Sequence, residues 1–249
     1  MVSRWATSAI SFVSLIAIWA IAAEAASSRY LPGPAAVLRV TLKEAASGAL
    51  FHHLGITLLR VLASFVIAMG IGILIGLIMG RRPKLDRFFD PWLILLLNVP
   101  ALVVIVFCYL WIGINEVAAV MAVAINKIPN VATTIREGAR ALDPALDDVA
   151  RVYRFSRLKR LKIIVWPQLE PFLAASVRTG LALIWKIVLV VELLGRSNGV
   201  GFQINLYFQL FDMARIMAYS LSFMVVVMVI ESLVVKPWER RANAWRQNV

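Results

Sequence analysis

The chain has 249 residues, 61% of them hydrophobic and only 16% charged, with 26 Lys and Arg against 14 Asp and Glu. Soluble domains carry about 25% charged residues, so the composition excludes an ordinary soluble module and indicates an all-α polytopic membrane protein. A net charge of +12 would suit nucleic acid if the cations formed one solvated face. They cluster between apolar runs instead, which points to the cytoplasmic face of a membrane.

A helix needs roughly 20 mainly apolar residues to cross the hydrocarbon core, and six segments qualify. The first is uncharged from Trp5 to Ala23. Its basic start and small residues also resemble a secretory signal, but a 19-residue uncharged run is long for one, and an uncleaved span is expected. Residues 31–52 open with "LPGP", an extended turn, and continue as a short helix on the outer surface. His52 and His53 follow at the outer start of the second span; neighbours on a helix point apart, so a shared metal is not expected and both read as interfacial side chains.

The second span runs from about Ile56 to Gly80. Its Gly72, Gly76 and Gly80 repeat every four residues on one face, the pattern that lets another helix approach closely. The third lies between Asp90 and Glu116 and includes the lone Cys108, so no disulfide framework is expected. Asn98 and Pro100 interrupt it early, freeing a carbonyl that must be covered by protein or face a water-filled cavity. The fourth, Val117 to Ile135, contains Lys127. The fifth, about Phe172 to Leu194, contains Arg178, Lys186 and Glu192. Residues 195–214 read as an outer loop with an aromatic belt or as part of an outer mouth. The sixth span, Ile216 to Val235, contains Glu231.

Charges at membrane depth are costly and face protein or water. Lys127 and Lys186 lie nearest the middle of their spans. Two readings stay open: they line a pathway for an anionic cargo together with Asn98 and Glu192, or they pair internally with Glu192 or Glu231. Arg60, Arg178 and Glu231 lie nearer span ends, where snorkelling suffices.

Lys and Arg accumulate in cytoplasmic loops. Placing both termini in the cytoplasm puts seventeen there: one before the first span, four at 81–87, eight at 136–162 and four at 236–246. The other side receives five, and four lie in spans.

The longest inside loop, about 136–169, holds "ALDPALDDVARVYRFSRLKRLKIIVWP". Asp143 can cap a helix whose first residue is Pro144, and Asp147 and Asp148 suit its positive end. Leu142, Leu146, Val149 and Tyr153 form one apolar stripe. That stripe could lie on lipid, on the bundle or in a groove on a soluble partner. The acidic first half suits a partner, and Arg157 to Lys162 suit headgroups.

This loop resembles one in membrane subunits of binding-protein-dependent ABC importers, which reads Glu-Ala-Ala, a Gly four residues after the second Ala, then Ile-x-Leu-Pro. Asp148, Val149 and Ala150 hold the first three places here, Arg154 the Gly place, Ile164 the Ile place, and Trp166-Pro167 the last two. Gly would permit a left-handed turn; Arg does so less easily, so the helix is expected to run on. The likeness covers nearly the whole chain: "LPGPAAVLRV", "TLLRVLASFVIAMGIGILIGLIMG", "WIGINE" and "WKIVLVVELLGRSNGVGFQI" occur in the order of the subfamily that imports nitrate, sulfonates, taurine, bicarbonate and thiamine precursors.

The resemblance implies one permease domain over 1–249, with six spans and a cytoplasmic coupling helix, in the plasma membrane of a prokaryote. It implies a second permease copy, two ATPase subunits carrying ATP and Mg, and an extracytoplasmic substrate-binding protein, with lipid around them. Leu146, Asp148, Val149, Ala150, Arg151, Tyr153, Arg154 and Pro167 would form the ATPase-coupling segment.

No Gly-x-x-x-x-Gly-Lys-Ser/Thr phosphate cradle occurs in the sequence, so no cofactor is expected in this chain. No catalytic grouping or metal motif stands out. A stand-alone secondary transporter or channel for a small anion is the alternative, and a membrane enzyme a more distant one.

Overall fold

The computed structural model describes residues 4–26 and 28–244, with side chains at 10–26 and 28–241. Arg246, counted above for topology, lies outside the described residues. Twelve α-helices and no strand are found among them: α1 Arg4–Ala26, α2 Pro34–Ala46, α3 Ala49–Arg81, α4 Pro83–Asn98, α5 Ala101–Ile112, α6 Glu116–Arg140, α7 Pro144–Val152, α8 Arg157–Arg160, α9 Trp166–Gly195, α10 Val200–Gln209, α11 Met213–Ile230 and α12 Lys236–Ala244. Five-residue π-helical turns, Leu161–Val165 and Glu231–Val235, join α8 to α9 and α11 to α12.

Among the described residues, three helical stretches are long and apolar enough to cross a membrane: α3, α6 and the run Met213–Arg241. The pair α4 and α5 makes a fourth when counted as one broken span. The break is a 95° bend between Asn98 and Ala101. Pro100 has no N–H to continue the ladder, and Val99 before it is extended at φ −70°, ψ 123°. Asn98 folds back to donate from Nδ2 to the Ile94 carbonyl at 2.7 Å. Helix α9 is long enough, but Arg178, Lys186 and Glu192 dilute its apolar character.

The centre is a bundle of α3, α6 and α9. Helices α3 and α6 touch backbone to backbone. A methyl group at Gly72 would lie 2.6 Å from Val131 Cβ, one at Gly76 2.6 Å from the Ala132 carbonyl oxygen, and one at Gly80 2.7 Å from the Arg136 carbonyl oxygen. On the other side of α6, Gly138 receives the Phe172 ring of α9. One apolar core, with Val61, Ile105, Val123, Ile184, Val188 and Phe223, fills the half of the bundle nearer α10. A second, with Met69, Val131, Ile135, Leu169 and Leu173, fills the half nearer α7. Helix α1 meets the turn before α2, where Trp19 Nε1 donates to the Pro32 carbonyl at 3.1 Å.

Residues 200–209 are helical, where a loop was one expectation. Helix α10 packs on α9 and α11, its turn Ser197–Gly199 using the φ of +102° that Gly199 allows.

Candidate functional site

At one end of the bundle, α7 begins as the sequence suggests: Asp143 accepts from the Ala145 N–H at 2.8 Å and Pro144 takes the first helical position. The Asp143 N–H donates to Gln168 Oε1 at 2.9 Å, tying α7 to the start of α9. Asp147 is the stronger tie. Arg81, at the end of α3, donates to it at 2.9 Å, and Arg160 of α8 donates through Nε at 3.0 Å and Nη2 at 2.7 Å. The two guanidinium groups, Arg160 first, hold the Asp147 carboxyl below its usual range.

The end of α7 corrects the sequence expectation. The helix does not run on; it closes at Val152, and Arg154 adopts the left-handed conformation at φ 50°. The Phe155 N–H donates to the Ala150 carbonyl at 2.9 Å and the Arg154 N–H to Arg151 at 3.1 Å, the reciprocal closure that usually rests on Gly. These two bonds offset the steric cost of a Cβ there.

The stripe is also redistributed. Ala150 is buried against its own subunit and Leu142 joins the inner core. Leu146 and Val149 are exposed, and Val152 and Tyr153 most of all, at 78% and 72%. Asp148 and Arg151 flank them as an exposed pair at 3.2 Å. Pro167 is exposed at the second position of α9. The apolar face is uncovered and is clamped to three helices behind it, α3 through Arg81, α8 through Arg160 and α9 through Gln168.

At the opposite end of the bundle, Arg60 does not snorkel: it is 4% exposed and fully engaged. It donates to Glu192 at 2.7 Å, to Glu116 at 2.8 and 2.6 Å and to the Asn198 carbonyl at 2.9 Å, and it also meets Asn198 Oδ1. The other Glu192 oxygen accepts from the Gly201 N–H at 2.8 Å and lies 3.0 Å from the Thr57 hydroxyl. Glu192 is 0% exposed; with both oxygens bound it fastens α10 to α9 and α3. A Cβ at Gly199 would run into its carboxylate, and one at Gly201 would lie 2.8 Å from Glu192 Cβ.

His53 belongs to this assembly too. Its Nδ1 accepts from the Gly199 N–H at 3.1 Å and its Nε2 lies 2.6 Å from the Gln203 amide. Sequence reasoning missed Thr57, Asn198 and the role of Arg60; the signal available was "SNGVG" following a span that carries Glu192.

The two central lysines part company. Lys127 is 2% exposed, its Cε against Gly180 of α9. Lys186 is exposed, on the wall of a cavity of about 630 Å³ between α9 and α11. Neither pairs with Glu192 or Glu231, and neither has an acceptor within hydrogen-bonding distance among the described residues.

Backbone-touching apolar helices, a broken span and a short clamped helix describe an all-helical membrane protein. Residues 68–236 match the family of binding-protein-dependent transport system inner membrane components, and the chain belongs to it. Among curated proteins it is 31% identical over 237 residues to SsuC of Bacillus subtilis, a permease protein assigned to aliphatic sulfonates transport, covering 94% of this chain and 85% of that one. The Escherichia coli taurine transport system permease protein TauC is 24% identical over 243 residues, covering 95% and 88%. Among solved structures, the inward-facing MetNI methionine ABC transporter superposes with a TM-score of 0.60 at 16% identity, covering 80% of this chain and 95% of that one. An amino acid ABC transporter superposes at 0.56 and 20% identity, covering 74% and 91%.

Proposed function

We propose that this chain is the membrane-spanning subunit of an ATP-driven importer for a small organic or inorganic anion of the sulfonate, taurine or bicarbonate type, in a prokaryotic inner membrane. Six spans with both termini inside, pairing with a second copy, surround the pathway. Two ATPase subunits, which supply ATP and Mg, seat on α7. A soluble binding protein delivers the cargo from outside, and closure of the ATPases switches the pathway between its two openings.

The observation that carries this reading is the uncovered face of Leu146, Val149, Val152 and Tyr153, backed by the Arg81–Asp147–Arg160 clasp. Such a face fits an apolar groove on a soluble partner better than the water it otherwise meets. Force applied to α7 reaches α3 through Arg81, and α9 through Gln168 and the helix containing Arg160. Asp148 and Arg151 rim the contact, Arg154 fixes where α7 stops, and Pro167 opens the helix beyond it.

Affinity purification of the tagged chain from membranes tests this. An ATPase chain is expected to accompany the wild type and to be lost from Val149→Asp while the permease still inserts. A chain that transports with no ATPase partner would favour a stand-alone anion carrier.

A further inference from the structure

At the end of the bundle nearer α10, one hydrogen bond depends on the absence of a proton. His53 Nδ1 accepts from the Gly199 N–H at 3.1 Å. Only an unprotonated nitrogen accepts, so the single proton of the neutral ring sits on Nε2. Nε2 lies 2.6 Å from the Gln203 side-chain amide. The amide meets that N–H with its oxygen, Oε1, a buried atom that otherwise has no partner. The ring is held neutral, in one tautomer, between the turn before α10 and α10 itself.

The groups facing the ring offer no substitute for this bond. On α3, His52 stands edge-on at 5.2 Å, and Arg60 is bound to Glu192 at 2.7 Å. On α2, Glu44 accepts from Arg215 and from the Tyr219 hydroxyl, each at 3.0 Å. The Tyr219 ring of α11 lies 6.0 Å from His53, and Tyr207 of α10 stacks on it. Glu192 of α9 already holds the Gly201 N–H. A proton on Nδ1 therefore sets two donors face to face at 3.1 Å, and the turn gives way. The next two amides seat α10: Val200 donates to the Thr57 hydroxyl at 2.9 Å and Gly201 to Glu192 at 2.8 Å. Displacing Gly199 pulls both from their acceptors on α3 and α9.

We infer that His53 is a proton-operated latch for α10: neutral, it seats the Ser197–Gly199 turn and the first turn of α10 on the bundle, and protonated at Nδ1 it releases them. The sign follows from the bond. The closed latch needs the neutral ring, so it is fully seated above the ordinary His value of about 6.5 and loosens as pH falls below it. A ring that cannot charge while closed opens up to about ten-fold more at about pH 5.5 than at about pH 7.5.

Hydrogen exchange of the 199–201 amides tests this, in the full chain in lipid nanodiscs. Each rate is divided by that of the unstructured peptide at the same pH. Both faces share one buffer, so the direction of insertion does not enter. Corrected exchange in the wild type is expected to rise about three- to ten-fold between those two pH values. His53→Asn keeps an acceptor at the Nδ1 place with no proton to gain, and should remove the rise. His52→Asn should keep it. A flat wild-type profile, an equal rise in His53→Asn or a lost rise in His52→Asn overturns the inference. Where His53→Asn loosens α10 at every pH, the nitrogen-15 spectrum of histidine-labelled His52→Asn protein, on a histidine-free tag, decides. His53 Nδ1 bare at the higher pH, and protonated over the range in which exchange rises, supports the latch; Nδ1 carrying the proton at the higher pH overturns it.

Discussion

Arg60 of α3 and Glu192 of α9 meet at 2.7 Å in the end of the bundle nearer α10, and both are buried. The pair survives there because every remaining valence is met: Glu116 and Asn198 complete the guanidinium, and Thr57 and Gly201 complete the carboxylate. Removing one partner strands the other. Glu192→Ala is expected to destabilise the fold by about 3–5 kcal/mol, read as a lower unfolding temperature in detergent and reduced membrane yield. A yield and melting temperature equal to wild type would show that the pair is dispensable.

The contact between α3 and α6 makes a sharper contrast. Gly76→Leu pushes a side chain into the Ala132 carbonyl and Ile135, and overpacking of this kind costs about 1–3 kcal/mol or more. Gly70 is on the same helix with nothing within 4 Å of its Cβ position. Gly70→Ala is expected to be neutral or stabilising by up to about 1 kcal/mol. Melting temperatures of the two variants should move in opposite directions or differ by several degrees.

Asp147 links α7 to the spans. Its carboxyl titrates below the ordinary range because Arg160 and Arg81 favour the charged form. A group with a depressed folded pKa stabilises fully above its unfolded value, about 3.9 for Asp, and loses that contribution as pH falls through the folded value. Protection of the α7 amides from hydrogen exchange is therefore expected to be level, as far as this clasp is concerned, from about pH 5 upward. Asp147→Asn should lower that protection at pH 7 and reduce ATP-driven uptake while insertion persists. Full uptake in that variant would remove the clasp from the coupling route.

Arg154 gives a prediction in the stabilising direction. Gly adopts φ 50° without the Cβ penalty, so Arg154→Gly should gain about 0.5–1 kcal/mol at the end of α7. Slower exchange of the Phe155 amide, which bonds to Ala150, would register it.

Much of this was legible from residue order. The Asp143-Pro144 start, the four-residue glycine spacing of α3 and the Asn98–Pro100 break are local signals, set by caps, backbone contact and a missing N–H. What escaped depends on distant partners. Arg60 and Glu192 are 132 residues apart, so a charge near a span end read as snorkelling when it was half of a buried pair. Arg154 misled for a different reason: propensity disfavours a left-handed Arg, but the two closing hydrogen bonds of α7 impose it. Ala150 sits in the motif yet faces inward, because the side of α7 that meets the bundle is chosen by Asp147 and Gln168 rather than by the stripe alone.

The central claim is that the outer face of α7 is covered by a nucleotide-hydrolysing partner. A photo-crosslinking amino acid at position 152, compared with one at the buried position 150, tests it most directly in intact membranes. Position 152 is expected to capture an ATPase chain, and position 150 its own subunit. Capture of lipid alone from position 152, in cells that transport normally, would contradict the account.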